Sequence, residues 1–125
     1  MNYKAKYEPR GNEIIHGAGQ SLEMFQEYWK ATKNKPVIYM TYIKIQNIDR
    51  WINKIQKELK KFPNLILQIG LNFRIEGKDK TKEIAEGKYE KEFNKFFKII
   101  KSFKNPVFIR IGYEFDFPSK YNPQT

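Results

Sequence analysis

Short apolar runs alternate with longer amphipathic stretches along the chain. Ile14-Ile15-His16 reads as a brief strand leading into Gly17-Ala18-Gly19-Gln20. Leu22, Phe25, Tyr28 and Trp29 then recur at helical spacing, with Ser21 placed to cap the helix start. Pro36 opens a second strand, PVIYMTYI, and Asn47 or Asp49 can cap the next helix. That helix carries the stripe Trp51, Ile52, Ile55, Leu59 and Phe62 and stops at Pro63. A third strand spans Asn64 to Leu71. A further helix, from about Tyr89 to Phe103, repeats Phe93, Phe96, Phe97 and Ile100 on one side, a stripe that reads as core packing. The last element, Asn105 to Asp116, reads NPVFIRIGYEFD and is a fourth strand of the buried type.

Side chains alternate across a strand, which sorts these residues into faces. Leu65, Leu67, Ile69 and Leu71 share one face of the third strand, and Ile66, Gln68, Gly70 and Asn72 the other. On the fourth strand Ile109, Ile111 and Tyr113 oppose Arg110, Gly112 and Glu114. Apolar strands separated by helices define an α/β fold with a parallel sheet and right-handed crossovers. Thr41, Gln68, Asn72, Arg110 and Glu114 are expected to converge on one point, which favours the mouth of a barrel over an open sheet. Arg110 and Glu114 are expected to form a charge pair there, because a buried charge is costly unless it is paired. HGAGQ lacks the spacing of a dinucleotide or phosphate loop. The connection from Phe73 to Lys88 exceeds the usual ~2–6 residues. It reads equally well as a lid over the strand ends or as a charged insertion.

Composition narrows the class further. The 125 residues make one domain, about half of a typical (β/α)8 barrel of ~250 residues. The expected architecture is therefore a single partial domain over residues 1–125, half of a TIM barrel with four strands. Four barrel strands leave two edges unpaired. The chain is accordingly expected to be a fragment of a longer protein, a shortened gene product, or a half-barrel that completes itself as a homodimer. There is no cysteine, which excludes disulfides and thiolate metal sites. No run approaches the ~20 apolar residues of a membrane span, and the polar start has no signal-peptide core. The chain as it stands is expected in the cytoplasm, or outside the cell if it is part of a secreted protein. The net charge of +10 comes mainly from lysines interleaved with glutamates, the pattern of solvated helix faces. It implies weak attraction to polyanions and no specific nucleic-acid partner.

The stretch IAEGKYEKEFNKFFKIIKSFKNPVFIRIGYEFD carries the most specific pattern. Gly87-Lys88-Tyr89-Glu90 heads a helix, and Pro106 leads a strand in which Arg110 stands four residues before Glu114. In this the chain resembles glycoside hydrolase family 26 and related (β/α)8 glycosidases of the same clan. The resemblance implies a retaining hydrolase of β-linked polysaccharide, mannan or glucan, needing no cofactor or metal. It makes Glu114 the general acid/base, with Arg110 orienting carboxylates beside it. A neighbouring carboxylate or an apolar setting would keep such an acid protonated, and retention needs a nucleophile ~5–5.5 Å away. Family members carry that nucleophile on the seventh strand; Asp116 can assist Glu114 but cannot replace it. Tyr113 stands where histidine is usual, and Phe117 and Ser119 lie where a glycine and tryptophan are usual. Tyr121 is then the aromatic left to stack on sugar. Asn72 is expected to line the cleft, and His16 either lines it or packs as a hydrogen-bonded histidine. The alternative is a non-catalytic carbohydrate-binding remnant that lacks the nucleophile.

Overall fold

The computed structural model describes residues 9–112. The elements run β1 (Gly17–Gly19), α1 (Leu22–Thr32), β2 (Ile38–Lys44), α2 (Ile48–Lys61), β3 (Ile66–Asn72), β4 (Arg74–Ile75), β5 (Lys78–Asp79), α3 (Thr81–Ala85), α4 (Glu90–Ile100) and β6 (Val107–Ile111). β1, β2, β3 and β6 form one sheet in that order, every neighbouring pair parallel. The chain is α/β, as the alternation of elements predicts.

The helices form because their apolar stripes have a sheet face to cover. Ser21 caps α1 as expected, its hydroxyl accepting from the Met24 amide at 3.2 Å. Asn47 stands at the start of α2 in a left-handed conformation, φ 62°, and makes no side-chain cap. Asp49 instead sits in the first turn, where its charge favours the helix N-terminus, and pairs with Lys95 of α4 at 2.5 Å. Phe25 of α1, Ile52 and Ile55 of α2 and Phe96 of α4 meet the odd-numbered strand residues Tyr39, Ile43, Leu67, Ile69 and Leu71 in a single buried core. All three long helices therefore lie against the same face of the sheet. Within the core Phe25 packs edge-on against Tyr39, with ring centres 5.7 Å apart.

Three expectations need correction. The first strand is Gly17–Gly19 rather than 14–16: its glycines let it run against β2, where a Cβ on Gly19 would stand 2.0 Å from the Met40 carbonyl oxygen. Thr41 is buried on the helix-covered face, opposite Ile69, and so does not join Gln68 and Arg110. On β6, the face of Ile109, Ile111 and Tyr113 is apolar enough to be expected under helices. Ile109 packs on the core, as does Val107, but Ile111 is 65% exposed and Tyr113 lies outside the described residues. Regular alternation also ends there, because Gly112 takes φ 84°.

The long connection is a folded unit. β4 and β5 pair as a small antiparallel hairpin whose two turn residues, Glu76 and Gly77, both have positive φ, 51° and 77°. The short α3 follows, with Asp79 accepting from the Thr81 amide and hydroxyl at 3.2 and 2.7 Å. The Lys80 amide ties the unit back to the Phe73 carbonyl at 3.0 Å.

Tyr39 is a core residue whose titratable group is tied to a charge. Its hydroxyl donates to Glu58 of α2 at 2.9 Å. Burial, and next the adjacent Glu58 carboxylate, push the phenol far above its ordinary value. The folded state therefore holds this proton more tightly than the unfolded chain, and the resulting stability is complete below about pH 10 and lost as pH rises beyond it. Replacing Tyr39 by Phe is expected to cost about 1.5–3 kcal/mol near neutral pH, the range for a hydrogen bond to a charged group. It should also make the alkaline loss of stability shallower. Urea denaturation across neutral and alkaline pH measures both effects.

Candidate functional site

The second face of the sheet carries the even-numbered strand residues. The parallel register puts Tyr42 of β2, Gly70 of β3 and Arg110 of β6 on one line across three strands. The Arg110 guanidinium reaches back over Gly70 and donates to the Tyr42 hydroxyl at 2.8 Å. Its central carbon stands 5.5 Å from the centre of the Tyr42 ring. Gly70 makes this crossing feasible: a Cβ there would lie 2.7 and 2.8 Å from two ring carbons of Tyr42. The tyrosine ring thus lies over the strand between its own and the arginine's.

One step towards the N-terminal ends lie Met40, Gln68 and Phe108, with Phe108 51% exposed. Beyond the line, at the C-terminal end, stands Asn72, beside Lys44 in the register. Its side-chain oxygen accepts from the Arg74 amide at 2.8 Å, so it fixes the exit of β3 into the hairpin. This face offers two cations, Arg110 and Lys44, a phenol, two amides and apolar ground. Among the described strand residues it holds no carboxylate.

The predicted site residues are therefore brought together only in part. Arg110 and Asn72 share this face. His16 precedes β1 and so lies at the opposite, N-terminal edge of the sheet: its ring is 3.3 Å from the Lys35 carbonyl, edge-on to Tyr28 at 5.9 Å, and its own carbonyl receives the Val37 and Ile38 amides. The hydrogen-bonded packing reading fits that position, and lining the strand ends where Glu114 follows does not. Glu114, Tyr113, Asp116 and Tyr121 lie outside the described residues. Among the described residues no group of three or more His, Asp or Glu side chains is arranged to hold a metal ion. Likewise no described helix is long and apolar enough to cross a membrane.

Sequence reasoning missed Tyr42, which fills the place expected for Thr41. A glycine inside a strand marks a close approach, and Gly70 was the available signal. No protein-family model, curated protein or solved structure matches the chain.

Gly70→Ala tests the arrangement. The added methyl is expected to displace the Tyr42 ring, break its bond to Arg110 and cost about 1–3 kcal/mol, the usual range for overpacking. Loss of the NMR contacts between the Arg110 guanidinium and the Tyr42 ring, with the core resonances unmoved, is the expected result.

Proposed function

We propose that this chain is the first half of a (β/α)8 glycoside hydrolase of the retaining type, acting on a β-linked polysaccharide of the mannan or glucan class. The barrel reading is supported by the strand order. Four parallel strands follow one another in space as in sequence, and the long helices share one face. A doubly wound sheet reverses its order and covers both faces; this one does neither within its four strands. The observation that carries the functional reading is Arg110, held by Tyr42 on the face opposite the helices, four residues before Glu114. In barrels of this class the chemistry belongs at the C-terminal ends of the strands, where Glu114 follows β6.

In this reading Glu114 protonates the glycosidic oxygen as the bond breaks, then takes a proton from the water that releases the sugar. Arg110 positions carboxylates, and Tyr42 and Phe108 offer apolar surface to a pyranose ring. The nucleophile has to come from another strand, supplied by the second half of the barrel or by a second copy of the chain. The absence of a carboxylate from the described part of this face favours one other reading, a carbohydrate-binding unit without hydrolysis.

Release of reducing sugar from β-mannan and β-glucan by the completed barrel, this chain together with the half that supplies the nucleophile, measured beside affinity for the same glycans, separates the two. The hydrolase reading expects Glu114→Gln to lower turnover by about 10²–10⁴-fold, the span of general acid–base catalysis, with binding kept. Equal turnover in both proteins removes Glu114 from the mechanism. Binding without turnover selects the second reading, and neither binding nor turnover ends both.

A further inference from the structure

A groove of about 640 Å³ opens on the helix side of the sheet, at the N-terminal ends of β3 and β6. Its apolar surface is Leu59 of α2, Phe103 of the segment leading into β6 and Val107, with the core residues Leu65 and Leu67 buried beneath them. Lys60 of α2 and Lys104 of the lead-in to β6 also line it. The volume is in the range of small-ligand sites, ~300–1,000 Å³. The groove is held in shape by Asn105, whose side-chain amide donates to the Pro63 and Leu65 carbonyls at 2.6 and 3.0 Å and so ties the lead-in of β6 to that of β3.

The charge around this groove has one sign. Residues 56–65 and 98–107 contain Lys57, Lys60, Lys61, Lys98, Lys101 and Lys104, all exposed, against a single acid, Glu58. That acid is already engaged, accepting from Tyr39 at 2.9 Å and standing 3.7 Å from Lys54. The C-termini of α2 and α4 point to this end, and each contributes about half a negative charge. Six full cations outweigh two such half charges. The βα connection after β3 carries both signs interleaved, so the excess belongs to this end of the sheet.

We infer that this groove binds a soluble single-chain amphiphile with an anionic head, its tail against Leu59, Phe103 and Val107 and its head at Lys60 and Lys104. A nucleic acid would engage the lysines but leave the apolar surface empty, whereas a neutral apolar ligand would gain nothing from the lysines. The inference is independent of the hydrolase reading, since it uses the other face and the other end of the sheet.

Titration of the isotope-labelled intact chain with dodecanoate, dodecanol, inorganic phosphate and anionic phospholipid vesicles tests it. Dodecanoate is expected to shift the Leu59 and Val107 methyl signals saturably, while dodecanol binds there about tenfold more weakly and phosphate leaves the methyls unmoved. Lys60→Glu with Lys104→Glu should weaken dodecanoate binding about tenfold, since two exposed attractions become repulsions. Ser102→Trp, which fills the rim without changing charge, should abolish it, with the circular dichroism of both variants unchanged. Equal affinity for dodecanol, unchanged affinity in the lysine variant, shifts centred on Met40 and Phe108, or binding to vesicles but not to dodecanoate would each overturn the inference.

Discussion

The register of three parallel strands is the constraint on which the molecule depends. Pairing Tyr39 with Leu67, and Ile69 with Ile109, turns every odd-numbered position towards the helices. A slip of one residue on β2 would send Tyr39 and Ile43 to the face opposite the helices and bring Met40 and Tyr42 into the core. Tyr39 and Ile43 are fully buried, so that slip would forfeit several kcal/mol of apolar burial and strand the Tyr39–Glu58 bond. The same register aligns Tyr42, Gly70 and Arg110. Packing on one face thus dictates the polar constellation on the other.

Much of this was legible because it is set locally. Helical spacing identifies the stripe of α2, Leu22 and Phe25 of α1, and Phe93, Phe96 and Ile100 of α4. Tyr28 and Phe97, expected in the same stripes, are each 40% exposed. Ser21 is readable as a cap. The division of β3 between Leu65, Leu67, Ile69 and Leu71 and its other residues follows from alternation alone. What escaped is set between strands. Thr41 is polar and was expected on the site face, yet alternation from Tyr39 and Ile43 places it in the core, where it is 1% exposed. Tyr42 takes the open position because its ring can lie over Gly70. The first strand was misplaced by three residues because Ile14 and Ile15 are more apolar than Gly17-Ala18-Gly19, while close approach to β2 requires glycine. The hairpin between β3 and α3 was hidden in a charged stretch, its one local sign being the Glu76-Gly77 turn.

The two ends of the sheet differ in a way that follows from topology. In a parallel α/β unit every helix starts at the C-terminal ends of the strands and finishes at the N-terminal ends. Acidic residues favour helix starts and basic residues helix ends. Asp49, Glu90 and Glu92 therefore gather at one end, and Lys60, Lys61 and Lys98 at the other. The basic rim around the groove is in part a sum of dipole preferences over neighbouring helices. Those preferences do not explain Lys104, which lies beyond α4 in the lead-in to β6. Nor do they explain the apolar groove lined by Leu59, Phe103 and Val107 beside it.

In the proposed hydrolase, Arg110 sets a demand that the four strands do not meet. A guanidinium near Glu114 favours the ionised carboxylate, which is the wrong form for donating a proton to a leaving group. The bond to Tyr42 uses one of its five N–H donors, and the others keep their charge to offer. A second carboxylate close by would hold Glu114 protonated against that pull, as paired acids do in retaining glycosidases. The arginine would then stabilise the partner's charge while the proton stays on Glu114. Once that partner is consumed in a covalent glycosyl intermediate its charge disappears, and the arginine's preference for the ionised form suits Glu114 to act as a base. Arg110 can serve both steps where two carboxylates meet beside it, so the chemistry and the completion of the barrel are a single requirement.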